Sequence, residues 1–97
     1  MSAELPEFRL AQNYPNPFNP TTTVTYDVAA DMRVRLSIYA LNGQIVRALV
    51  DKEQPAGTHA VNWDGTADRG GVVASGLYVY RMEADGIAAA RKMLLLG

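Results

Sequence analysis

Few side chains in this sequence have the types that chemistry needs. His59 is the only histidine, so a Ser-His-Asp triad would have to use it. It stands two residues before Val61 in the alternating run "THAVNWD", and no GxSxG nucleophile motif occurs in the chain. It reads as a strand histidine at an edge or rim. Asp64 and Asp68 lie four apart in the glycine-rich stretch "WDGTADRGG" and are weak candidates for calcium, which takes oxygen ligands from flexible loops. The stretch lacks the D-x-D-x-D-G spacing of an EF-hand and a closing glutamate, and Asp and Gly serve plain turns equally well. As a glycosidase pair the two carboxylates are weaker still, because nothing suggests a cleft between them. Trp63, Tyr39, Tyr78 and Tyr80 could line a sugar-binding face, or Trp63, in phase with Val61, could be the main core aromatic. The absence of cysteine excludes disulfides and thiolate zinc sites. The residues therefore predict no catalytic and no cofactor-binding group, with calcium at Asp64 and Asp68 as the one metal option.

The elements that would position these groups are short strands. The chain has 97 residues, enough for one domain, with 48% apolar and 20% charged residues. The formal net charge is −1 and the nine Lys/Arg are scattered, which speaks against nucleic-acid binding. No segment approaches the roughly 20 apolar residues of a membrane-spanning helix. Residues 1–7 read as an expression or linker remnant without a signal peptide, and residues 8–97 as a single domain. "TTTVTYDV" places Val24, Tyr26 and Val28 on one face and threonines on the other. "RVRLSIY" places Val34, Leu36 and Ile38 inward. Strands are expected near 7–12, 21–28, 32–40, 44–50, 58–64, 76–84 and 87–96, with "DKEQPAG" and "DGTADRGGVVAS" as the larger loops. About seven short strands with frequent turn signals predict an all-β, immunoglobulin-like antiparallel sandwich.

Two hairpins can be tested for register. A three-residue loop Leu41-Asn42-Gly43, with Gly43 left-handed, pairs Ile38 with Val46, Leu36 with Ala48 and Val34 with Val50. A two-residue Asn42-Gly43 turn would instead set Ile38 against Arg47, so the longer loop is expected. At the Asp85-Gly86 hairpin, Tyr78, Tyr80 and Met82 compete with Leu77 and Val79 for the inner face.

The segment "QNYPNPFNP" is too stiff for a flexible linker and too rich in proline for a central strand. Residues before proline are pushed to extended conformations, and Asn13, Asn16 and Asn19 can bond nearby backbone. The segment reads as a stiff strap anchored by Tyr14 and Phe18, with Phe18 pinned at the core edge, the chain turned into the strand from Thr21, and a strand edge shielded.

"LAQNYPNPFNPTTTVTYDV", "VRLSIYALNGQIVRALV", "AGTHAVNWDGTADRGGVVASGLYVYRMEADG" and "RKMLLL" together resemble the C-terminal sorting domain of proteins exported by the type IX secretion system. The immunoglobulin-like domain of the flagellar hook-capping protein is similar through the hairpin, the tryptophan block and the SGxYxY strand. The resemblance implies a non-catalytic module at the C-terminus of large secreted multidomain enzymes and adhesins of Gram-negative bacteria. It implies passage through the periplasm, recognition by the outer-membrane translocation machinery, and a cell-surface location. A surface sortase then removes the domain, or the domain itself holds the cargo. Residues matching the family's recognition motifs are Asn16, Pro17, Phe18, Asn19 and Pro20 in the strap, and Arg91, Lys92, Met93, Leu94, Leu95 and Leu96 in the ending. The chain closes in Gly97, where the family frequently carries lysine. The expected partners are that machinery and N-terminal cargo domains of the same chain, with no nucleic acid and a monomeric, non-spanning domain. The last strand is a natural docking edge, since an edge offers unpaired backbone groups. The alternative is a carbohydrate-binding sandwich appended to a glycan-degrading enzyme, which requires aromatics exposed in one plane.

Overall fold

Period-two alternation leaves each strand with one apolar face, and two such layers bury those faces against each other. The computed structural model describes residues 8–96. The expected remnant at residues 1–7 lies outside them. Seven strands follow in order: β1 (Phe8–Leu10), β2 (Thr22–Val28), β3 (Met32–Ala40), β4 (Ile45–Gln54), β5 (Gly57–Trp63), β6 (Gly76–Ala84) and β7 (Ile87–Leu95). They form a three-stranded sheet β1-β2-β5 and a four-stranded sheet β4-β3-β6-β7, antiparallel throughout. The architecture is the expected immunoglobulin-like sandwich. Among the described residues no helix is long and apolar enough to cross a membrane.

The core lies between the sheets. Val24, Tyr26 and Val28 face Val34, Leu36 and Ile38, with Trp63, Tyr80, Met82, Met93 and Leu95 filling the remainder. The uncertain inner face of β6 is settled in favour of Tyr78, Tyr80 and Met82, while Leu77 is exposed. Thr22 departs from the expected outward threonine row. It is in phase with Val24 and fully buried, because its hydroxyl is used inside the fold, as described below.

The hairpin of β3 and β4 corrects the expected register. The Leu41-Asn42-Gly43 loop forms as expected, with Gly43 at φ +88° and Ala40 N–H donating to Gln44 C=O at 2.9 Å. The pairing then slips by one residue at each of two bulges. Ile38 faces Arg47 and Leu36 faces Val50, in place of Val46 and Ala48, and Val34 faces Lys52. The extra residues are Val46 and Leu49, both half-buried against the core. A bulge lets neighbouring residues on one strand share a face, so the strand packs more apolar surface than strict alternation allows. A second correction concerns "DKEQPAG". β4 continues through Gln54, with Arg33 facing Glu53 and Met32 facing Gln54. Polar composition here marks an exposed edge strand, not a loop.

Candidate recognition surface

Prolines 15, 17 and 20 limit the pairing of residues 12–20 with β2 to one bridge, in which Tyr14 N–H donates to Thr23 C=O and Thr23 N–H to Tyr14 C=O, each at 3.0 Å, so the segment's remaining polar groups must find other partners. The chain leaves β1 after Leu10 on the three-stranded sheet and crosses the open flank of the sandwich. At Phe18 it meets the end of β7 on the other sheet in a parallel bridge to Leu95. Three kinds of contact hold it. Phe18 is buried against Trp63, ring centroids 5.8 Å apart, a placement that contributes about 2–3 kcal/mol from apolar burial. The backbone pairs along β7: Phe18 N–H donates to Leu94 C=O at 3.0 Å and Leu96 N–H to Phe18 C=O at 2.9 Å. Asn16 Oδ1 accepts from Leu94 N–H at 3.0 Å, and Gln12 Nε2 donates to Lys92 C=O at 2.8 Å.

The third contact is a buried polar knot. Tyr80 Oη donates to Ala11 C=O at 2.6 Å and accepts from Asn13 N–H at 2.8 Å. Asn13 Nδ2 donates to Thr22 Oγ1 at 2.9 Å, and Thr22 Oγ1 donates to Pro15 C=O at 2.8 Å. Burial raises the Tyr80 phenol above its usual range, which keeps it neutral and able to donate. A buried tyrosine hydroxyl needs partners, and the strap holds backbone groups that no ladder serves. That pairing was the available signal for the knot, and sequence reasoning missed it. Sequence reasoning also assigned Asn16 to nearby backbone. The side chain instead reaches Leu94, 78 positions away.

The residues matching the recognition motifs divide by accessibility. Phe18, Met93 and Leu95 point into the core. Asn16, Pro17, Asn19 and Pro20 are exposed, as are Lys92 and Leu96, and Leu94 is half-exposed opposite Leu77. Arg91 is in phase with Met93 but reaches across the flank, its Nε donating to Leu10 C=O at 2.7 Å. Strap and strand end thus form one continuous surface. The expectation of β7 as a docking edge needs correction over its final residues, because the strap already occupies the backbone groups from Lys92 to Leu96.

The other candidates take structural positions. Asp64 Oδ1 accepts from Thr66 N–H at 3.1 Å and from the Thr66 hydroxyl, which lowers its carboxyl pKa below the ordinary range. Asp68 accepts from Ala48 N–H at 3.1 Å and lies 3.7 Å from Arg47. Among the described residues no three His, Cys, Asp or Glu side chains are grouped to hold a metal. His59 stacks on Tyr26 at the sheet rim, with Nε2 2.8 Å from Pro55 C=O. Trp63, Tyr78 and Tyr80 are buried, with Trp63 Nε1 donating to Thr66 C=O at 2.9 Å. They cannot form the exposed plane that sugar binding requires.

Residues 16–86 match the family described as the FlgD Ig-like domain. Dimeric latent PorU from Porphyromonas gingivalis is similar in fold, with TM-score 0.75 and 21% identity over 96% of this chain and 10% of that one. PorZ, described as an essential surface component of the type-IX secretion system of the same organism, gives TM-score 0.62 and 19% identity over 89% of this chain and 11% of its own. FlgD from P. aeruginosa gives 0.57 and 20%, over 79% and 66%. The chain therefore spans about a tenth of the PorU and PorZ chains. No curated protein matches it.

Proposed function

The chain belongs to the FlgD Ig-like domain family, and from that premise we propose that it is a non-catalytic sorting module of a larger secreted protein. In this reading it directs export through the type IX secretion system and attachment at the cell surface. The carrying observation is the composite surface on the open flank. The proline strap and the basic-apolar ending are distant in sequence, yet Asn16, Phe18 and Gln12 bind the backbone of Lys92, Leu94 and Leu96 directly. Asn16 and Phe18 bond Leu94 and Leu96, so a partner that touches Asn16, Pro17 or Asn19 lies along the strand end that carries Leu94 and Leu96, and one footprint reads both motifs. The likeness of fold to PorZ supports the same reading. The described side chains with catalytic potential are engaged in turns, edge caps and stacking, which suits an address better than an enzyme.

The test is a fusion. Residues 8–97 are joined to an inert reporter bearing a signal peptide and expressed in hosts with and without the type IX system. The expected result is surface reporter only where the system is present. Retention in the periplasm of both hosts would remove the export reading.

A further inference from the structure

Upstream of the strap contacts, the edge of β7 is open, and alternation determines which backbone groups it presents. The Leu94 N–H and C=O and the Lys92 C=O are bound by the strap, so even-numbered residues point away from β6. The β6–β7 register is unbroken from Gly76 facing Leu95 to Ala84 facing Ile87. The N–H and C=O groups of Ala88 and Ala90 therefore point into the flank, where among the described residues no hydrogen bond reaches them. β1 is the edge of the opposite sheet. Ala11 N–H donates to Thr25 C=O at 3.0 Å, so Phe8 and Leu10 turn their backbone groups outward on that side.

A groove of about 730 Å³ lies between the two edges, lined by Leu10, Thr25, Asp27, Ala89, Ala90 and Arg91 among others. It exists because Ala89, although in the inward phase of Met93 and Leu95, offers only a methyl group. Its lining carries two arginines, Arg9 and Arg91, against one acid, Asp27. Arg9 is exposed, and neither Arg9 nor Arg91 forms an ion pair among the described residues. Asp27 accepts from the Thr58 hydroxyl and keeps its negative charge, so the lining is net positive by the second arginine.

We infer that this groove takes up, by strand addition, an extended acidic segment of another polypeptide. The segment's backbone runs beside Ala88 to Ala90, and its carboxylate sits against Arg9 and Arg91. The strap provides an internal precedent, since Phe18 adds to the same edge at Leu95. Main-chain pairing supplies affinity in such complexes and side chains supply selectivity. The inference stands on the groove alone and does not depend on the export reading.

The test titrates the 97-residue chain with a capped octapeptide of alternating threonine and valine carrying two central glutamates, and with its lysine counterpart, followed by backbone amide NMR. The expected result is saturable shifts at the amides of Ala88, Ala90 and Leu10, weakened about threefold or more when lysine replaces glutamate. Ala90→Pro removes one outward N–H without touching the β6 ladder, a position where an edge strand tolerates proline. It should weaken binding about tenfold. Ala88→Pro serves the same purpose should Ala90→Pro fail to fold, and Arg9→Glu should reverse the preference between the two peptides. Equal binding by the proline variants, equal binding of both peptides, or shifts elsewhere would overturn the inference. So would concentration-dependent dimerisation of the free chain through Ala88–Ala90, which would give the groove to a second copy.

Discussion

β4 and β7 are the two edges of the same four-stranded sheet, and the fold protects them by opposite means. β4 deforms. Two bulges turn its backbone outward, and the loop after β5 docks on it: Asp68 N–H donates to Val46 C=O at 2.8 Å while the Asp68 carboxylate accepts from Ala48 N–H. Arg47 adds a bond to Thr66 Oγ1 at 3.1 Å. β7 stays regular, and its last residues are covered by a segment that arrives from the other sheet. The first solution depends on exposed polar contacts, the second on a buried ring and a buried polar knot. An edge capped by surface polar groups should lose little when one is removed, and an edge capped from the core should lose much.

Phe18→Ala tests that contrast most severely. It should destabilise the domain by about 3–5 kcal/mol in chemical denaturation, as removal of a buried phenylalanine does. Amide exchange should quicken at Leu94 and Leu96 while Ala48 on β4 keeps its protection. Uniform quickening at both edges would dissolve the distinction between them. Tyr80→Phe should cost about 1–3 kcal/mol, because Ala11 C=O and Asn13 N–H lose a buried partner.

The same residue links the strap to pH. Burial raises the phenols of Tyr26, Tyr78 and Tyr80 in the folded chain. The folded state therefore binds protons more tightly than the unfolded one. Its stability is full below the ordinary phenol value of about 10 and falls as pH rises through the raised values. Tyr80→Phe should flatten that alkaline decline, and denaturation midpoints from pH 8 upward would check it; an unchanged slope would deny Tyr80 its share. On β4, Asp68→Ala should cost about 0.5–1.5 kcal/mol, with faster exchange confined to Ala48 and its neighbours. The smallest effect should come from Arg33→Ala, which removes the exposed 2.8 Å pair with Asp51 and should shift stability by no more than about 0.5 kcal/mol.

Much of this contrast was legible in the sequence. Alternation through Val24, Val34, Leu36 and Ile38 names the core-facing residues, and proline spacing marks 12–20 as a segment that forms no continuous ladder. Tyr14 and Phe18 both read as apolar anchors of the strap, but only Phe18 is buried and Tyr14 is exposed. The bulges were not legible, because strict pairing of Ile38 with Val46 looks more favourable in sequence than the observed Ile38 against Arg47. The β4 extension through Gln54 was hidden by composition, since an edge strand with both faces wet resembles a loop. The expectation of an open terminal strand was half right in place: the strap takes the end of the edge and leaves Ala88 to Ala90.

What the sequence by itself determined is local: strand phase, turn sites such as Gly43 and Asp85-Gly86, and the stiffness of the proline segment, all of which follow from backbone sterics and side-chain periodicity. Only the tertiary structure decided which edge the strap covers, which carbonyls Tyr80 and Gln12 reach, and where the two sheets leave a groove. Those outcomes depend on groups up to 81 positions apart competing for the same unpaired backbone, and no local pattern records the winner.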